Sequence, residues 1–314
     1  MSTARAVPTT RGNLEGDDAL HTLRRCGRRR IARDSLTRFR AADGFSHSRA
    51  LAFQFTLTLL PALIAVVGLA AALEQETFRR VVAESLSDLA PGAVGDLLTD
   101  ALKQGVSAAG SERGETALTL GGIAALAAGT TAMAQIERGA NRIYGVEADR
   151  PFLRKYGVGL ALACTAGLLA LLAAVILVGG TAIRDSAGWG DGFNSAWGVL
   201  RWPLGVVCAV GSIALLFQRA PRREQPEPSW LAYGAAVSTL LWFAFLAVLA
   251  LFVEVSNSFG STYGSLAGTI GVLLWAFLSA LALFLGLAFA AQLEAVRAGE
   301  PESQVEQEKN VDEA

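Results

Sequence analysis

The 314-residue sequence has little charge and few of the side chains that catalytic sites need. Charged residues make up 18% of the chain, against about 25% in an average soluble domain, whereas hydrophobic residues make up 52%. There are three cysteines and two histidines, which are too few for a disulfide framework or for a metal site with the usual ligand spacing. This composition excludes an ordinary soluble globule and a disulfide-rich secreted module. It indicates an integral membrane protein.

Six charge-free runs, between 17 and 39 residues long, carry most of the hydrophobic residues. A helix crosses the hydrocarbon core with about 20 apolar residues, within a range of roughly 17–25. The runs are continuously apolar, whereas membrane β-strands alternate. The longest run starts with a polar, glycine-rich stretch, which we interpret as a loop. The sequence therefore predicts an all-α integral membrane protein whose membrane domain (47–294) has six transmembrane helices, with spans at about 50–73, 116–136, 157–179, 202–218, 230–253 and 264–291.

Positive charges are distributed unevenly between the segments that join these spans. If the spans alternate in direction, 21 Lys and Arg residues lie on one side of the membrane and 6 on the other. Because cytoplasmic segments carry the excess of positive charge, we expect both termini to be cytoplasmic. Residues 74–115, between the first two spans, contain two amphipathic stretches and are predicted to form a helical extracytoplasmic loop.

The two ends of the chain differ in composition. Residues 1–19 mix small polar and acidic residues without periodicity, which predicts a disordered N-terminal arm. Residues 20–46 are rich in arginine with apolar residues interspersed, which predicts a basic interfacial helix on anionic lipid. Basic arms also bind nucleic acid, but the lipid-facing role is favoured, so we expect membrane lipids and no nucleic acid as partners. Residues 295–314 predict a solvated, acidic cytoplasmic tail.

Ionisable side chains are almost absent from the middle of the predicted spans. An ionisable group in hydrocarbon is costly and usually marks a proton or ion pathway, so their scarcity argues against a proton pump. The candidates that remain lie at the span edges and are Arg49, Arg138, Arg142, Glu254 and Glu294. Anchoring at the membrane interface is the favoured interpretation of each, and a functional ion site is the alternative.

Two further residues are notable for their backbone or hydrogen-bonding chemistry. Pro61 lies near the middle of the first span, where a proline removes a backbone donor, kinks the helix and frees a carbonyl. It is either a packing kink or a hinge that lines a cavity. Asn141, at the inner end of the second span, can hydrogen-bond loop carbonyls, and a structural role is favoured over contact with a ligand.

Three glycines recur every four residues at the start of the sixth span: Gly260, Gly264 and Gly268. Small residues at this spacing let two helices approach closely. The face is therefore predicted to pack against another helix, and it is compatible with a homo-oligomer formed through these glycines. Tyr263 and Ser265 lie beside it and could line a polar opening, although a tyrosine at the membrane interface is common.

Four stretches occur in order along the chain: SRALAFQFTLTLLPALIAVVG, IERGANRIYGVEADRPFLRKYG, LLFQRAPRREQPEPSWLAYGAAVSTLLW and FGSTYGSLAGTIGVLLWAFLSALALFLGLAFAAQLE. Their order resembles the YihY/BrkB family of bacterial inner-membrane proteins, once mislabelled as ribonuclease BN, and the resemblance covers about residues 30–295. The resemblance implies a six-helix protein of the bacterial plasma (inner) membrane. It does not supply a settled biochemical activity.

Individual positions carry this resemblance. Pro61 matches the family's first-helix proline, and Asn141 and Tyr144 match its Asn-x-x-Tyr motif after helix two. The other matches are Pro221 after helix four, Tyr263-Gly264-Ser265 at the start of helix six, and Glu294, the acidic residue that closes it. Two stretches depart from the pattern: Phe53-Gln54-Phe55 stands where aromatic hydroxyls are usual, and Gly286-Leu287-Ala288 differs from the family's Gly-Ala-Glu ending.

Two functions from different classes stay open at this point. The first is a transporter- or flippase-like protein for a lipid or envelope component, favoured by the six-helix bundle, Pro61 and the extracytoplasmic loop. The second is a structural or assembly factor of the cell envelope. We expect no cofactor and no enzyme activity, because phosphodiester hydrolysis uses clustered carboxylates or histidines, and the cytoplasmic segments offer arginine-rich loops instead.

Overall fold

The structure is a computed structural model that describes residues 3–9, 14–72, 112–177, 180, 190–255 and 267–302. These residues form helices and contain no β-strand, so the all-α prediction is confirmed for the described part of the chain. The helices are α1 (Gly16–Cys26), α2 (Arg28–Ala41), α3 (Gly44–Ala72), α4 (Glu112–Tyr144), α5 (Phe152–Leu162), α6 (Leu168–Leu177), α7 (Asp191–Arg219), α8 (Pro228–Val255) and α9 (Ala267–Arg297).

Five of the helical stretches are long and apolar enough to cross a membrane. They are Thr119–Tyr144, Phe152–Leu177, Gly192–Arg219, Pro228–Phe252 and Gly268–Arg297. The first predicted span, 50–73, falls on α3, which continues through Pro61 but is not among the five. The count of six spans therefore stays a prediction. The predicted extracytoplasmic loop lies outside the described residues, except for its last four residues, which belong to α4.

The long helices alternate in direction, so that several of their ends meet at one end of the bundle. His47 Nδ1, near the start of α3, lies 3.4 Å from Gln135 Nε2 on α4. Arg150, just before α5, donates to the carbonyl of Ala220, just after α7. Arg223, just before α8, contacts Glu294 near the end of α9. We call this the polar end: α3, α5 and α8 begin there, and α4, α7 and α9 end there.

Helix α9 lies at the centre of the bundle and packs against α3, α4 and α8. In its most apolar stretch 50% of the residues are buried, against 17–28% in the other four candidate spans. Small residues allow this close packing, because a methyl group at Gly286 would collide with Ser238 Oγ on α8. A methyl group at Gly234 would meet Ala290 Cβ at 2.7 Å. We call this contact between α8 and α9, which small residues bring close at Gly234 and Gly286, the α8–α9 seam.

The glycine face predicted at the start of the sixth span lies mostly outside the described residues. Gly260 and Gly264 belong to the stretch 256–266, which the structure does not describe. Gly268 lies in the first turn of α9 and is half-buried. Association of two copies through this face stays a prediction.

A π-helical turn, Ala163–Gly167, joins α5 and α6 into one long stretch. Such a turn changes the backbone hydrogen-bond register and leaves a carbonyl without its usual helical donor. Ser212 on α7 donates its hydroxyl to the carbonyl of Ala166 at 2.7 Å. This hydrogen bond fixes α7 against the turn.

The basic segment predicted as one interfacial helix, 20–46, is divided between α1, α2 and the start of α3. Gly27 separates α1 from α2 with φ +83°, a left-handed conformation that glycine adopts readily. One face of α2 is buried and packs against α9: its residues are Ile31, Ser35, Arg38 and Phe39. The arginines on the other face are exposed, so α2 is amphipathic and places one arginine, Arg38, inside the polar end.

Candidate functional site

The last turn of α4 and the loop after it form a hydrogen-bonded network around Asp149. Asn141 is fully buried; its side-chain amide donates to Asp149 Oδ1 at 3.0 Å and accepts the Arg222 backbone N–H at 2.8 Å. Lys155 Nζ lies 2.8 Å from Asp149 Oδ2, and Arg138 Nε lies 3.5 Å from the same oxygen. Asn141 therefore joins α4, its loop and the segment before α8.

A second network satisfies the C-terminal end of α7. Arg150 donates to the carbonyls of Ala220 and Pro221 at 2.6 and 2.9 Å, and to that of Arg219 at 3.3 Å. These carbonyls lie at the last residue of α7 and just beyond it, where intrahelical donors are lacking, so a cation there is stabilising. Glu137 on α4 holds Arg150 through a 3.0 Å ion pair and accepts its backbone N–H at 3.1 Å.

The third contact is a buried ion pair between the segment before α8 and the end of α9. Arg223 meets Glu294 through two parallel contacts of 2.6 and 3.2 Å, and the two side chains are 7% and 1% exposed. The Arg223 guanidinium also lies 4.6 Å from the centre of the Tyr144 ring. The two-pronged geometry makes this a charge-assisted contact that fixes the orientation of both side chains. Tyr144 Oη and Arg223 Nε are buried and have no hydrogen-bond partner among the described residues.

Arg38 on α2 is fully buried and connects the helices to both described chain ends. It donates to Gln292 Oε1 on α9 at 2.8 Å and to the carbonyl of Ile143 at 3.3 Å. Two further acceptors are the carbonyls of Arg5 at 2.9 Å and Glu302 at 3.4 Å. Residues 3–9 fall in the arm predicted to be disordered. In the structure they lie along the end of α4, where the Ala4 and Val7 backbone N–H groups donate at 3.1 Å to the carbonyls of Arg142 and Tyr144.

Burial and pairing shift the acidities of two groups in this region. Burial lowers the pKa of Arg38 from 12.5 to about 10, because removal from water disfavours the charged form. Burial alone would raise the pKa of Asp149. Hydrogen bonds from Lys155 and Asn141, together with the charges of Lys155 and Arg138, outweigh it and lower this pKa to about 2.

Basic side chains outnumber acidic ones at the polar end. We define the polar-end cluster as ten residues: Arg38, Arg138, Arg142, Arg150, Lys155, Arg222 and Arg223, with Glu137, Asp149 and Glu294. Each of the three carboxylates is in an ion pair, and a surplus of positive charge is left over. Such a region attracts an anion. No three His, Cys, Asp or Glu residues in the described part of the chain are grouped as metal ligands.

Four residues singled out from the sequence come together at the polar end: Asn141, Tyr144, Pro221 and Glu294. Arg142 is close to them, and its guanidinium donates to the loop carbonyls of Val146 and Glu147 at 3.3 and 2.6 Å. It therefore fixes the loop that follows α4. Glu294, which was expected to anchor at the membrane interface, is instead inside the ion pair with Arg223.

The other singled-out residues lie elsewhere. Glu254 is exposed near the end of α8, which places it about 39 Å from the polar end at 1.5 Å per residue. Pro61 lies within α3 and Gly268 in the first turn of α9, so neither belongs to the polar-end cluster. Tyr263, Gly264 and Ser265 lie outside the described residues.

The sequence interpretation missed most members of the cluster. In the sequence, Arg38, Lys155, Arg222 and Arg223 contribute only to the count of positive charges that predicts the topology, and no pattern distinguishes Asp149. Their partners are distant in sequence, since Arg223 and Glu294 are 71 residues apart. One signal was available: Glu294 is the first charged residue after an uncharged run of 39 residues, and a carboxylate there needs a partner if it is buried.

Comparison with known proteins gives two matches. A family model described as "Virulence factor BrkB" matches residues 35–311, which include the whole polar-end cluster. A protein of Bacillus subtilis (strain 168), YfkH, whose name describes it as ribonuclease-like, is 27% identical over 258 residues. The match covers 81% of this chain and 91% of that protein. No solved structure gives a significant match.

Proposed function

The chain belongs to the Virulence factor BrkB family, and from this membership we propose that it is a transporter- or flippase-like protein of the bacterial inner membrane. Its substrate is an amphipathic lipid or another envelope component with an anionic head group. The observation that supports this proposal is the polar-end cluster, in which basic side chains outnumber acidic ones beside long apolar helices.

The distribution of charge along the helices favours a lipid over a free ion. Residues 119–136, 156–177, 202–218, 228–253 and 267–293 contain no Asp, Glu, Lys or Arg. An ion that has lost its hydration water needs charged side chains or unpaired backbone carbonyls along its route, whereas the carbonyls of a regular helix are bonded within the helix. A lipid keeps its acyl chains in hydrocarbon, so only its head group needs polar contacts, and the polar-end cluster can provide them at one side.

The proposal includes a topology of six membrane crossings with both termini in the cytoplasm. The alternating directions of the six long helices support the number of crossings, because α3 begins at the polar end and packs along α4. The excess of Lys and Arg in the segments at this end supports a cytoplasmic location for it. Both described chain ends, residues 3–9 and 298–302, also lie there.

Cysteine labelling tests the topology. In a variant without the three native cysteines, Ser229→Cys at the start of α8 should react with a membrane-impermeant maleimide only after the cells are permeabilised. Ser107→Cys, which lies outside the described residues, should react with a membrane-impermeant maleimide in intact cells. Labelling of both positions from the same side would contradict the proposed topology.

Reconstitution tests the activity. The purified protein in liposomes should accelerate movement of a fluorescent anionic phospholipid between leaflets. Arg142→Ala removes a cation from the polar-end cluster and should slow this movement several-fold, whereas Arg154→Ala, an exposed arginine in the first turn of α5, should not. Pro61→Ala should also slow it, with Pro203→Ala, inside α7, as the matched control. Ion flux without lipid movement would contradict the proposal, and so would the absence of both.

A structural or assembly role in the envelope is the second candidate. It is favoured by the exposed apolar faces, since only 17–28% of the residues are buried in four of the five candidate spans. Lipid, a second copy of the chain or a partner protein can cover such faces. A stable complex with an envelope protein, combined with no lipid movement in liposomes, would favour this role. We also propose that the chain is not an enzyme, and cleavage of RNA by the purified protein would contradict that.

A further inference from the structure

Arg38 carries a buried positive charge whose four hydrogen-bond acceptors are all neutral. Its guanidinium donates to the Gln292 amide and to three backbone carbonyls, and its residue is fully buried. Buried charges in proteins are normally paired with an opposite charge, because removing an ion from water is costly. The Glu294 carboxylate, which binds the neighbouring Arg223 directly, also acts electrostatically on Arg38, so Arg38 shares this negative charge with Arg223. Arg38 therefore has the chemistry of an anion-binding residue.

Two of the four acceptors of Arg38 come from the ends of the chain. We define the clasp as residues 3–9 and 298–302, which contribute the carbonyls of Arg5 and Glu302 to Arg38. The halves of the clasp are joined by ion pairs from Arg5 to Glu300 at 3.4 Å and to Glu302 at 3.0 Å. These side chains are 42%, 47% and 64% exposed, and exposed pairs contribute little to stability. These two ion pairs can therefore separate at low cost. The N-terminal half of the clasp stays attached to α4 by the Ala4 and Val7 backbone hydrogen bonds, so the C-terminal half, held to α9 by the hydrogen bond from Gln292 Nε2 to the Pro301 carbonyl at 2.7 Å, is the half that withdraws.

A groove reaches the clasp from the surface. It has a volume of about 230 Å³ and is lined by α2 on one side and by the C-terminal half of the clasp on the other, at Arg30, Asp34, Thr37, Pro301 and Glu302. Glu302 contributes to both the groove wall and the contacts of Arg38. Withdrawal of this half of the clasp would connect the groove to the Arg38 guanidinium.

We propose that Arg38 binds a phosphate-bearing head group that enters through this groove, and that the clasp carbonyls occupy its place in the resting state. A phosphate offers a guanidinium two parallel charged acceptors, which bind it more strongly than two neutral carbonyls do. The clasp is then an internal competitor of the head group. This inference rests on the proposed handling of an anionic lipid and assigns one side chain to its recognition.

Charge substitutions in the clasp test the proposal with the full-length protein in neutral detergent. Arg5→Glu replaces two ion pairs by repulsion from Glu300 and Glu302, and so populates the open state. Apparent affinity rises with the fraction of binding-competent molecules. We expect dihexanoylphosphatidylglycerol to bind about 3- to 10-fold more tightly to Arg5→Glu than to the wild type, by titration calorimetry. Adding Glu300→Arg and Glu302→Arg restores the pairs with reversed sign and should return the affinity to the wild-type value.

Two variants in the Arg5→Glu background identify the residue that binds. Arg38→Gln should remove the gain in affinity, whereas Arg33→Gln, an exposed arginine of α2, should keep it. Inorganic phosphate provides a second arm: much weaker binding than the short-chain lipid identifies a lipid head group, and equal binding identifies a soluble phosphate compound. No change in affinity for Arg5→Glu, or a gain that survives Arg38→Gln, would overturn the proposal.

A disulfide between the two halves of the clasp tests the proposal without the Arg38→Gln variant, and so remains informative if that variant does not fold. In the background without native cysteines, Arg5→Cys with Glu302→Cys should bind the lipid more weakly when oxidised than when reduced. Equal affinities in the two redox states would overturn the proposal. If liposomes show lipid movement while these affinities stay equal, the clasp inference fails and the proposed function stands.

Discussion

Neutralisation of Glu294 should be among the most destabilising conservative changes in the described part of the chain. In Glu294→Gln the side chain keeps its size and loses the charge that faces the Arg223 guanidinium. Both side chains are almost inaccessible, at 1% and 7% exposure, so water cannot replace the lost charge. Loss of one partner of a buried ion pair costs about 3–5 kcal/mol, because the other charge is left buried without compensation.

The matched control is the ion pair between Arg297 and Asp18, one turn further along α9. Its side chains are 44% and 37% exposed, so Asp18→Asn should cost no more than about 1 kcal/mol. Free energies of unfolding would be measured by denaturant titration of the purified proteins in one detergent. The double replacement Arg223→Met with Glu294→Leu removes both charges and should recover most of the loss. Equal costs for Glu294→Gln and Asp18→Asn would refute the assignment of this pair as buried and tightly coupled.

Three more predictions concern other parts of the fold. Asn141→Ala removes two part-buried hydrogen bonds, to Asp149 and to the Arg222 backbone N–H, and should destabilise the protein by about 1–3 kcal/mol in the same titration. The pKa of Asp149 is lowered from 3.8 to about 2. The ionised Asp149 therefore stabilises the folded protein fully at a pH above the unfolded pKa, and this stabilisation is lost as the pH falls towards the folded pKa. Melting temperature should therefore fall more steeply between pH 4.5 and 2.5 in the wild type than in Asp149→Asn, and parallel curves would contradict this. Gly286→Ala should cost about 1–3 kcal/mol by overpacking against Ser238, whereas Gly271→Ala, with no atom near its added methyl group, should be close to neutral.

The existence of the long helices could be predicted from the sequence, but their ends could not. The second predicted span stops at residue 136 because Glu137 ends the uncharged run, yet α4 continues to Tyr144. The helix continues because Glu137 pairs with Arg150 and Asn141 with Asp149, contacts that remove the cost of burying these groups. An uncharged run measures the thickness of hydrocarbon that a helix crosses. It does not measure the length of the helix.

The pairing of polar residues required the three-dimensional structure. The sequence presents Arg223 as one of three basic residues between two spans and Glu294 as a lone acid after a long apolar run. Either residue alone has the pattern of an interfacial anchor. Only the antiparallel contact between α8 and α9, made close by Gly234 and Gly286, brings the start of one helix to the end of the other. Such contacts between distant segments leave no periodicity in a single sequence.

The polar end contains more charge than stability alone would favour. Replacement of a buried ion pair by apolar residues of similar volume is often neutral or stabilising, and the α8–α9 seam shows that small apolar residues already pack these helices closely. The Arg223–Glu294 pair and the buried Arg38 therefore call for a role beyond holding the bundle together. An excess of guanidinium groups, one of them held by the carbonyls of the chain ends, suits the exchange of an internal ligand for an external anion. If Arg223→Met with Glu294→Leu is as stable as the wild type but moves lipid slowly in liposomes, the charges serve recognition. If it is as stable and equally active, they are dispensable for both, and the site must be sought at the other end of the helices.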